Sequence, residues 1–306
     1  MNYLLTGACG FIGSHTFDEF TSNGNKVVVV DKLTYAGNIN NIDEEKCYFY
    51  QLDIVNRDEI AKVVKKHNIK TIINLAAETH VDNSITNAAS FVKTNIEGVL
   101  SLLELCKDFN VSLVHVSTDE VYGPAHNFGF NESSALRPMN PYAATKSSAD
   151  HLIQSFHNTH DIRYKIIRPS NNFGPRQHDE KFIPKVLNCI NNNFPIPVYG
   201  DGNQKRQWTY VKDTARLIYD ITVSYPINKI YNVGNNNIVS NIDLLNKIFE
   251  ITGKGKNLVQ HVKDRPGHDR MYWILNDELN RHTKPKFSNF DVSLTETINE
   301  RLKNEL

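Results

Sequence analysis

At 306 residues with 40% hydrophobic content, the chain is long enough for one large α/β unit or two small domains sharing an interface, with a sizeable core. Lys plus Arg and Asp plus Glu balance at 34 each, so no overall basic field draws nucleic acid or an anionic membrane, and any anionic ligand must be small and locally held. No apolar run approaches the ~18 residues of a membrane span. The chain enters an apolar segment at Tyr3 without a charged leader, and its four cysteines form no CxxC pair, so a soluble, cytoplasmic protein with free thiols is expected. Its twelve histidines include no HExxH pattern, and no metal site is expected.

Residues 2–6 are a short apolar run, 11–23 carry helical spacing, and 26–31 (KVVVVD) are β-branched almost throughout, which reads strand, helix, strand. The alternation continues with YFYQLD (48–53), a helix over 57–67, TIINLA (71–76) and a long helix over 88–109. SLVHVS (112–117), a helix over 141–160 and RYKIIR (163–168) complete it. Near-continuous Val/Ile/Leu runs between helices are what a parallel sheet covered on both faces requires, so a Rossmann-type doubly wound α/β fold is predicted. Beyond Pro169 the texture shifts to short elements rich in Pro, Gly and Asn, such as NNNFPIPVYGDGN (191–203). This predicts a smaller, interleaved substrate-binding lobe: residues 1–170 form the dinucleotide domain, 211–235 return to it, and 171–210 and 236–306 make the lobe. The Asn triplets at 191–193 and 235–237 read as short loops.

TGACGFIGS (6–14) places Gly7, Gly10 and Gly13 between the first strand and the first helix, where a tight turn lets a pyrophosphate approach amides at a helix N-terminus. The spacing, GxxGxxG, is one residue longer than the usual fingerprint. Asp31 closes the second strand, where a carboxylate takes ribose hydroxyls and repels the extra phosphate of NADP; NAD is the expected cofactor. Asp53 is either an adenine contact or a cap on the following helix. Tyr142 and Lys146, in NPYAATK, lie four apart on one helix face, where an ammonium would lower the phenol's pKa and let it act as a base toward an alcohol. A second YxxxK, Tyr225 to Lys229, has Pro226 inside it and reads as coincidence. HVSTDEVYG (115–123) ends an apolar run with two adjacent carboxylates, Asp119 and Glu120, where a simple polar turn needs at most one. Ser117 or Thr118 in the same stretch can supply the hydroxyl that orients the alcohol.

The runs TGACGFIGS, AAETHVDNSI, STDEVYG, YAATK, RPSNNFGP and DRPGHD, in that order from residue 2 to about 275, resemble those of the nucleoside-diphosphate-glucose 4,6-dehydratases within the extended short-chain dehydrogenase/reductase family. The resemblance implies oxidation at C4 of glucose, elimination of water across C5 and C6, and reduction at C6. It makes Tyr142 the base at the 4-hydroxyl with Thr118 and Lys146 beside it, Glu120 the base at C5 and Asp119 the acid at the 6-hydroxyl. It extends the cofactor contacts to Phe11, Ile12, Lys32, Leu33, Thr34, Ile54, Leu75, Ala76, Ala77, Thr79, Thr94 and Asn172. The implied substrate contacts are Thr79, Thr118, Asn171, Lys181, Phe182, Pro197, Val198, Tyr199, Arg206, Asn232, Arg265 and His268, with Arg206 and Arg265 suited to the diphosphate. A UDP-sugar 4-epimerase or decarboxylase, which has no use for an acid and a base together, is the second enzyme reading. A non-catalytic NAD-sensing regulator is the third. The family usually dimerises through two long helices per subunit, here 88–109 and 141–160, so a homodimer with a four-helix interface is expected.

Overall fold

The computed structural model describes residues 2–264 and 269–304. The chain opens with strand β1 (Tyr3–Thr6), helix α1 (Phe11–Ser22), β2 (Val27–Asp31), β3 (Cys47–Gln51), α2 (Arg57–Lys66) and β4 (Thr71–Asn74). Two short helices follow, α3 (Val81–Thr86) and α4 (Ala88–Phe91); a π-helical stretch, Val92–Glu97, then runs into α5 (Gly98–Phe109). Next come β5 (Ser112–Val116), α6 (Pro141–His160) and β6 (Tyr164–Pro169). The later elements are β7 (Asn171–Phe173), α7 (Phe182–Asn191), β8 (Ile196–Tyr199), β9 (Lys205–Tyr210), α8 (Val211–Ser224) and β10 (Lys229–Val233). The chain closes with β11 (Ile238–Ser240), α9 (Asn241–Thr252), β12 (Val259–Val262), α10 (Asp277–His282) and α11 (Phe290–Asn304).

Seven parallel strands form the central sheet in the order β10-β6-β5-β4-β1-β2-β3. Successive side chains of a strand point to opposite faces, and here both faces are apolar. Leu4, Val28, Ile72, Leu113 and Ile166 face a core closed by α2, α5 and α6. Their neighbours Leu5, Val29, Ile73, Val114 and Ile167 face a core closed by α1 and α8. This bears out the doubly wound reading, and it explains why the strands read as unbroken apolar runs. The strand order reverses between β1 and β4, so a crevice opens beyond their carboxyl ends, where ligands of open α/β sheets bind.

The lobe beyond β6 holds a three-stranded sheet, β11-β9-β7, and the pair β12-β8, and packs its own core from α7, α9 and α11. Helix α8 and strand β10 return to the large sheet. The expected single helix over 88–109 is instead two α-helical pieces joined by the π stretch. Helix α3 and the 3-10 turn Asp119–Tyr122 have no counterpart in the sequence reading. Tyr225 is the extended residue that caps α8 and Lys229 opens β10, so the second YxxxK is not a helical pair.

Candidate active site

The crevice beyond β1 and β4 is a cavity of about 300 Å³, and the glycine turn forms its floor. Gly7 has φ +70, and a Cβ there would lie 2.5 Å from Ala76 N; a Cβ on Gly13 would lie 2.0 Å from Gly7 O. Only glycine lets β4 and α1 approach the turn this closely. Asp31 accepts from Cys9 N at 2.9 Å and Leu33 N at 2.8 Å, so backbone amides fix its carboxylate at the cavity wall. Asp53 pairs with Lys32 at 2.6 Å and also accepts from Val55 N, so it serves its own turn as well as lining the cavity. Phe11, Ile12, Gly10, Thr34, Ile54, Leu75, Ala76, Ala77, Thr79, Thr94 and Asn172 line the same space. Leu33 does not: its side chain packs against the sheet core, and it offers the region only its backbone.

At the inner end stand Thr118, Asp119, Glu120, Tyr142 and Lys146. Helix α6 is capped by Asn140, whose side-chain Oδ1 accepts from Ala143 N at 2.8 Å, and has a proline at its first position, a strong start signal. Tyr142 therefore falls in the first turn and Lys146 one turn later. Thr118 ends the extended segment after β5 and accepts from Glu120 N at 3.3 Å, which folds the next residues into a turn that carries both acids inward. Its hydroxyl donates to Asp119 Oδ1 at 3.3 Å and stands close enough to Tyr142 to favour that phenol's ionised form. Asn140 holds Glu120 by a 3.1 Å bond to Oε2.

Burial, and next the charge of Glu120, push the Asp119 carboxyl up to about 8, so it is a neutral acid at pH 7. Its Oδ2 has no hydrogen-bond partner among the described residues. Burial, then Glu120 and Asp119, push the Tyr142 phenol up. The expectation that Lys146 lowers that phenol is not met, because Lys146 Nζ donates to Val116 O at 2.7 Å and sits 3.3 Å from His115 Nε2. Desolvation pushes Lys146 itself down to about 8. Behind it runs a ladder on neighbouring strands: Thr6 donates to Asn74 at 2.6 Å, and Asn74 Nδ2 lies 3.0 Å from His115 Nδ1.

Thr79, Asn171 and Lys181, expected at the substrate, also line the cavity. Phe182, Pro197, Val198, Tyr199, Arg206 and Asn232 are not in its wall. Phe182 stands beside Trp208, and Pro197, Val198 and Tyr199 belong to β8, paired with β12. Arg206 is buried, with its guanidinium 4.4 Å from the centre of the Tyr272 ring. Asn232 is spent on structure: it accepts from Tyr122 OH at 2.9 Å and donates to the Phe130 and Leu275 carbonyls. Arg265 and His268 lie outside the described residues. Ser117, the hydroxyl the sequence offers beside Thr118, is in the cavity wall too, and the sequence reading missed Glu78, Ser170, Gln177, His178 and Glu180 there. It also missed His115, Asn140, Asp269 and Tyr272; of these only Asn140, as the helix cap before Pro141, left a local signal.

The site suits NAD on its own geometry. Ser117 Oγ, Asn171 Oδ1, Asn172 Oδ1 and Gln177 Oε1 are buried, border the cavity and have no hydrogen-bond partner among the described residues, and the glycine turn leaves backbone where a phosphate approaches. A doubly wound sheet, a glycine turn at the switch point and a buried Tyr–Lys pair define a dinucleotide-dependent enzyme of alcohols and carbonyls. The chain belongs to the NAD dependent epimerase/dehydratase family, whose model matches residues 3–234. It is 40% identical to a dTDP-glucose 4,6-dehydratase of Streptomyces niveus, across 97% of this chain and 92% of that one. It is 41% identical to the low-salt glycan biosynthesis protein Agl12 of Haloferax volcanii, across 90% of each. Among solved structures, the dTDP-glucose 4,6-dehydratase DesIV of Streptomyces venezuelae, with NAD and TYD bound, superposes with a TM-score of 0.96 at 34% identity, covering 100% of this chain and 98% of that one. These relatives bear out the resemblance drawn from the motifs.

Proposed function

We propose that the protein is an NAD-dependent nucleoside-diphosphate-glucose 4,6-dehydratase, and the observation that carries this is the split between its adjacent acids. Elimination needs a neutral carboxyl to protonate the departing 6-hydroxyl and a carboxylate to remove the C5 proton. Asp119 is held neutral by burial and by Glu120, while Glu120 is anchored by Asn140 on one oxygen. NAD, when bound, supplies the two-electron acceptor that takes hydrogen from C4 and returns it at C6. Tyr142 takes the proton of the 4-hydroxyl, steadied by Thr118. With Asp119 neutral, Glu120 is the carboxyl that opposes an anionic phenol, and Lys146, one helical turn away, carries the charge that offsets it. The C4 ketone then acidifies C5 for Glu120, and water leaves with the proton of Asp119. Thr79, Asn171 and Lys181 face the sugar nucleotide.

We assign the protein to the cytoplasm, a reading supported by its free cysteines, and take it to be a homodimer through the helices over 88–109 and 141–160. Exposed Ile85 and Val92, at the start of that region, favour a covered face.

Incubation with dTDP-glucose and UDP-glucose separately, followed by mass spectrometry, should show loss of one water from at least one of them. With substrate deuterated at C4, the label should appear at C6; in heavy water, unlabelled substrate should gain deuterium at C5. Label retained at C4 with the 6-hydroxyl intact would mean an epimerase, and Asp119–Glu120 would be a turn with a spare acid.

A further inference from the structure

The segment from β7 to α7 contributes two amides to the cavity wall, and main-chain carbonyls, which can only accept, fix how both are turned. Asn172 Nδ2 donates to Ser170 O at 2.8 Å, and Gln177 Nε2 donates to Asn172 O at 2.9 Å. Each amide has its nitrogen spent and its oxygen left over. Those oxygens, Asn172 Oδ1 and Gln177 Oε1, are buried and have no hydrogen-bond partner among the described residues. A buried acceptor without a donor is costly, so a ligand that fills the cavity has to bring N–H or O–H groups to this wall.

Gln177 follows a sharply folded piece of backbone. Gly174 has φ +150, and Arg176, which is no glycine, has φ +63. Between them Pro175 is buried, and its carbonyl accepts from His15 Nε2 at 3.0 Å. His15 is 5% exposed and lies on α1 one turn beyond Phe11. Burial pushes its imidazole down to about 4, so the ring is neutral at pH 7 and has a single N–H, which that carbonyl takes. Asp18, on the same side of α1, pairs with Arg176 at 2.8 Å, but this pair is exposed and holds weakly. The buried bond is the one that fixes the loop.

We propose that Gln177 is a cofactor-binding residue held in place by His15: the imidazole fixes the 174–176 turn, and the turn presents the Gln177 carbonyl oxygen to a hydrogen-bond donor of bound NAD. The strand order narrows which donor that is. Asp31 closes β2 on one side of the glycine turn, whereas the β7–α7 segment follows β6 on the other side, where Lys146 meets the end of β5. The nicotinamide half of the cofactor therefore faces Gln177, and its donors are the carboxamide amino group and the ribose hydroxyls. One helix then serves both parts of the cofactor, its N-terminus at the diphosphate and His15 at the loop. The inference depends on the cofactor and not on which reaction the sugar undergoes.

The test is equilibrium binding of radiolabelled NAD by the full chain with no sugar nucleotide present, so that turnover does not enter the reading. Gln177→Leu should weaken NAD about tenfold, as loss of one hydrogen bond does. His15→Leu should give a similar loss, and His15→Gln, whose amide nitrogen reaches the same carbonyl, should recover most of it. In the double variant His15→Leu with Gln177→Leu the losses should not add; additive losses mean that His15 acts on α1 alone and overturn the linkage. Unchanged NAD binding in Gln177→Leu overturns the proposal. Hydrogen exchange read by mass spectrometry should show residues 174–178 opening in His15→Leu and staying protected in His15→Gln. Protection that survives in His15→Leu overturns the role of the imidazole. Thermal melts identify a variant that fails to fold; His15→Asn, whose shorter amide leaves Pro175 O out of reach, then takes the place of His15→Leu. The NAD analogue with an acetyl group in place of the carboxamide separates the two donors. Indifference of that analogue to Gln177→Leu assigns the carboxamide, and an equal loss assigns a ribose hydroxyl.

Discussion

Asp119 is the residue on which the chemistry turns, and its environment makes two consequences measurable. Because its carboxyl is raised to about 8, the rate of water loss should be flat at neutral pH and fall as pH rises through about 8, followed by mass spectrometry of quenched single turnovers. The same shift bears on stability. The folded pKa lies above that of an unfolded aspartate, so folding disfavours the ionised form; the cost is absent below about 4 and grows as pH rises to about 8. Asp119→Asn should therefore melt higher than wild type at pH 9, by several degrees, with the gap closing toward pH 4. No gap at pH 9 would mean the carboxyl ionises freely in the fold. Function should show the opposite balance: Asp119→Asn slows water loss while C5 exchange continues, whereas Glu120→Gln still oxidises C4 and exchanges nothing. Tyr142→Phe should lower C4 oxidation by roughly 100-fold or more, read from nicotinamide absorbance on adding substrate. Equal defects in every step for all three variants would mean the roles are shared.

The π-helical stretch Val92–Glu97 shows how one irregular element can hold a site in register. Inserting an extra residue into the helical turn points Asn95 inward, where its Oδ1 accepts from Glu78 N at 2.9 Å and its Nδ2 donates to Glu78 O and to Thr145, each at 3.0 Å. Thr145 in turn donates to the carbonyl of Tyr142, so the loop after β4 and the catalytic turn of α6 share one clamp. Asn95→Ala strands the part-buried Glu78 backbone and should cost about 1–3 kcal/mol, measured as a drop in urea midpoint, together with weaker NAD binding. A loss under ~0.5 kcal/mol would show that water takes over both bonds. Nothing in the sequence announces this stretch, because VKTNIEGVL has ordinary helical spacing and the π turn depends on what Asn95 meets across the fold. The six strands from β1 to β6, by contrast, were legible: all but the edge strand β3 are buried along nearly their whole length and carry apolar runs, and β3 is marked by its aromatic CYFYQ. Short strands such as β7 and β11 pair with distant β9 and carry no period of their own. The site divides in the same way. Glycines, Asp31, the acid pair and the Tyr–Lys spacing are local patterns, whereas Tyr272 meets Glu120 across 152 residues of chain.

The two lobes are threaded through one another, and we expect that division to set what can fold alone. Helix α8 contributes Leu217, Ile218 and Ile221, and β10 contributes Tyr231 and Val233, to the core that also holds Phe17 and Phe20 of α1. A fragment ending at residue 170 lacks all five and leaves β6 unpaired on one side. It should show no cooperative thermal transition by circular dichroism, while a fragment ending at residue 234 should recover one. A sharp transition in the shorter fragment would establish that residues 1–170 are self-sufficient. The same threading has a temporal side. A ribosome delivers β6 first, then the whole of β7, α7, β8, β9 and α8, and only then the strand that covers its open edge. At ~5–20 residues per second that edge stands exposed for several seconds, with six buried-type residues of β6 presented to whatever nascent chain lies nearby. Chains arrested between residues 170 and 228 should accordingly be recovered with holding chaperones, and chains arrested beyond residue 240 should not.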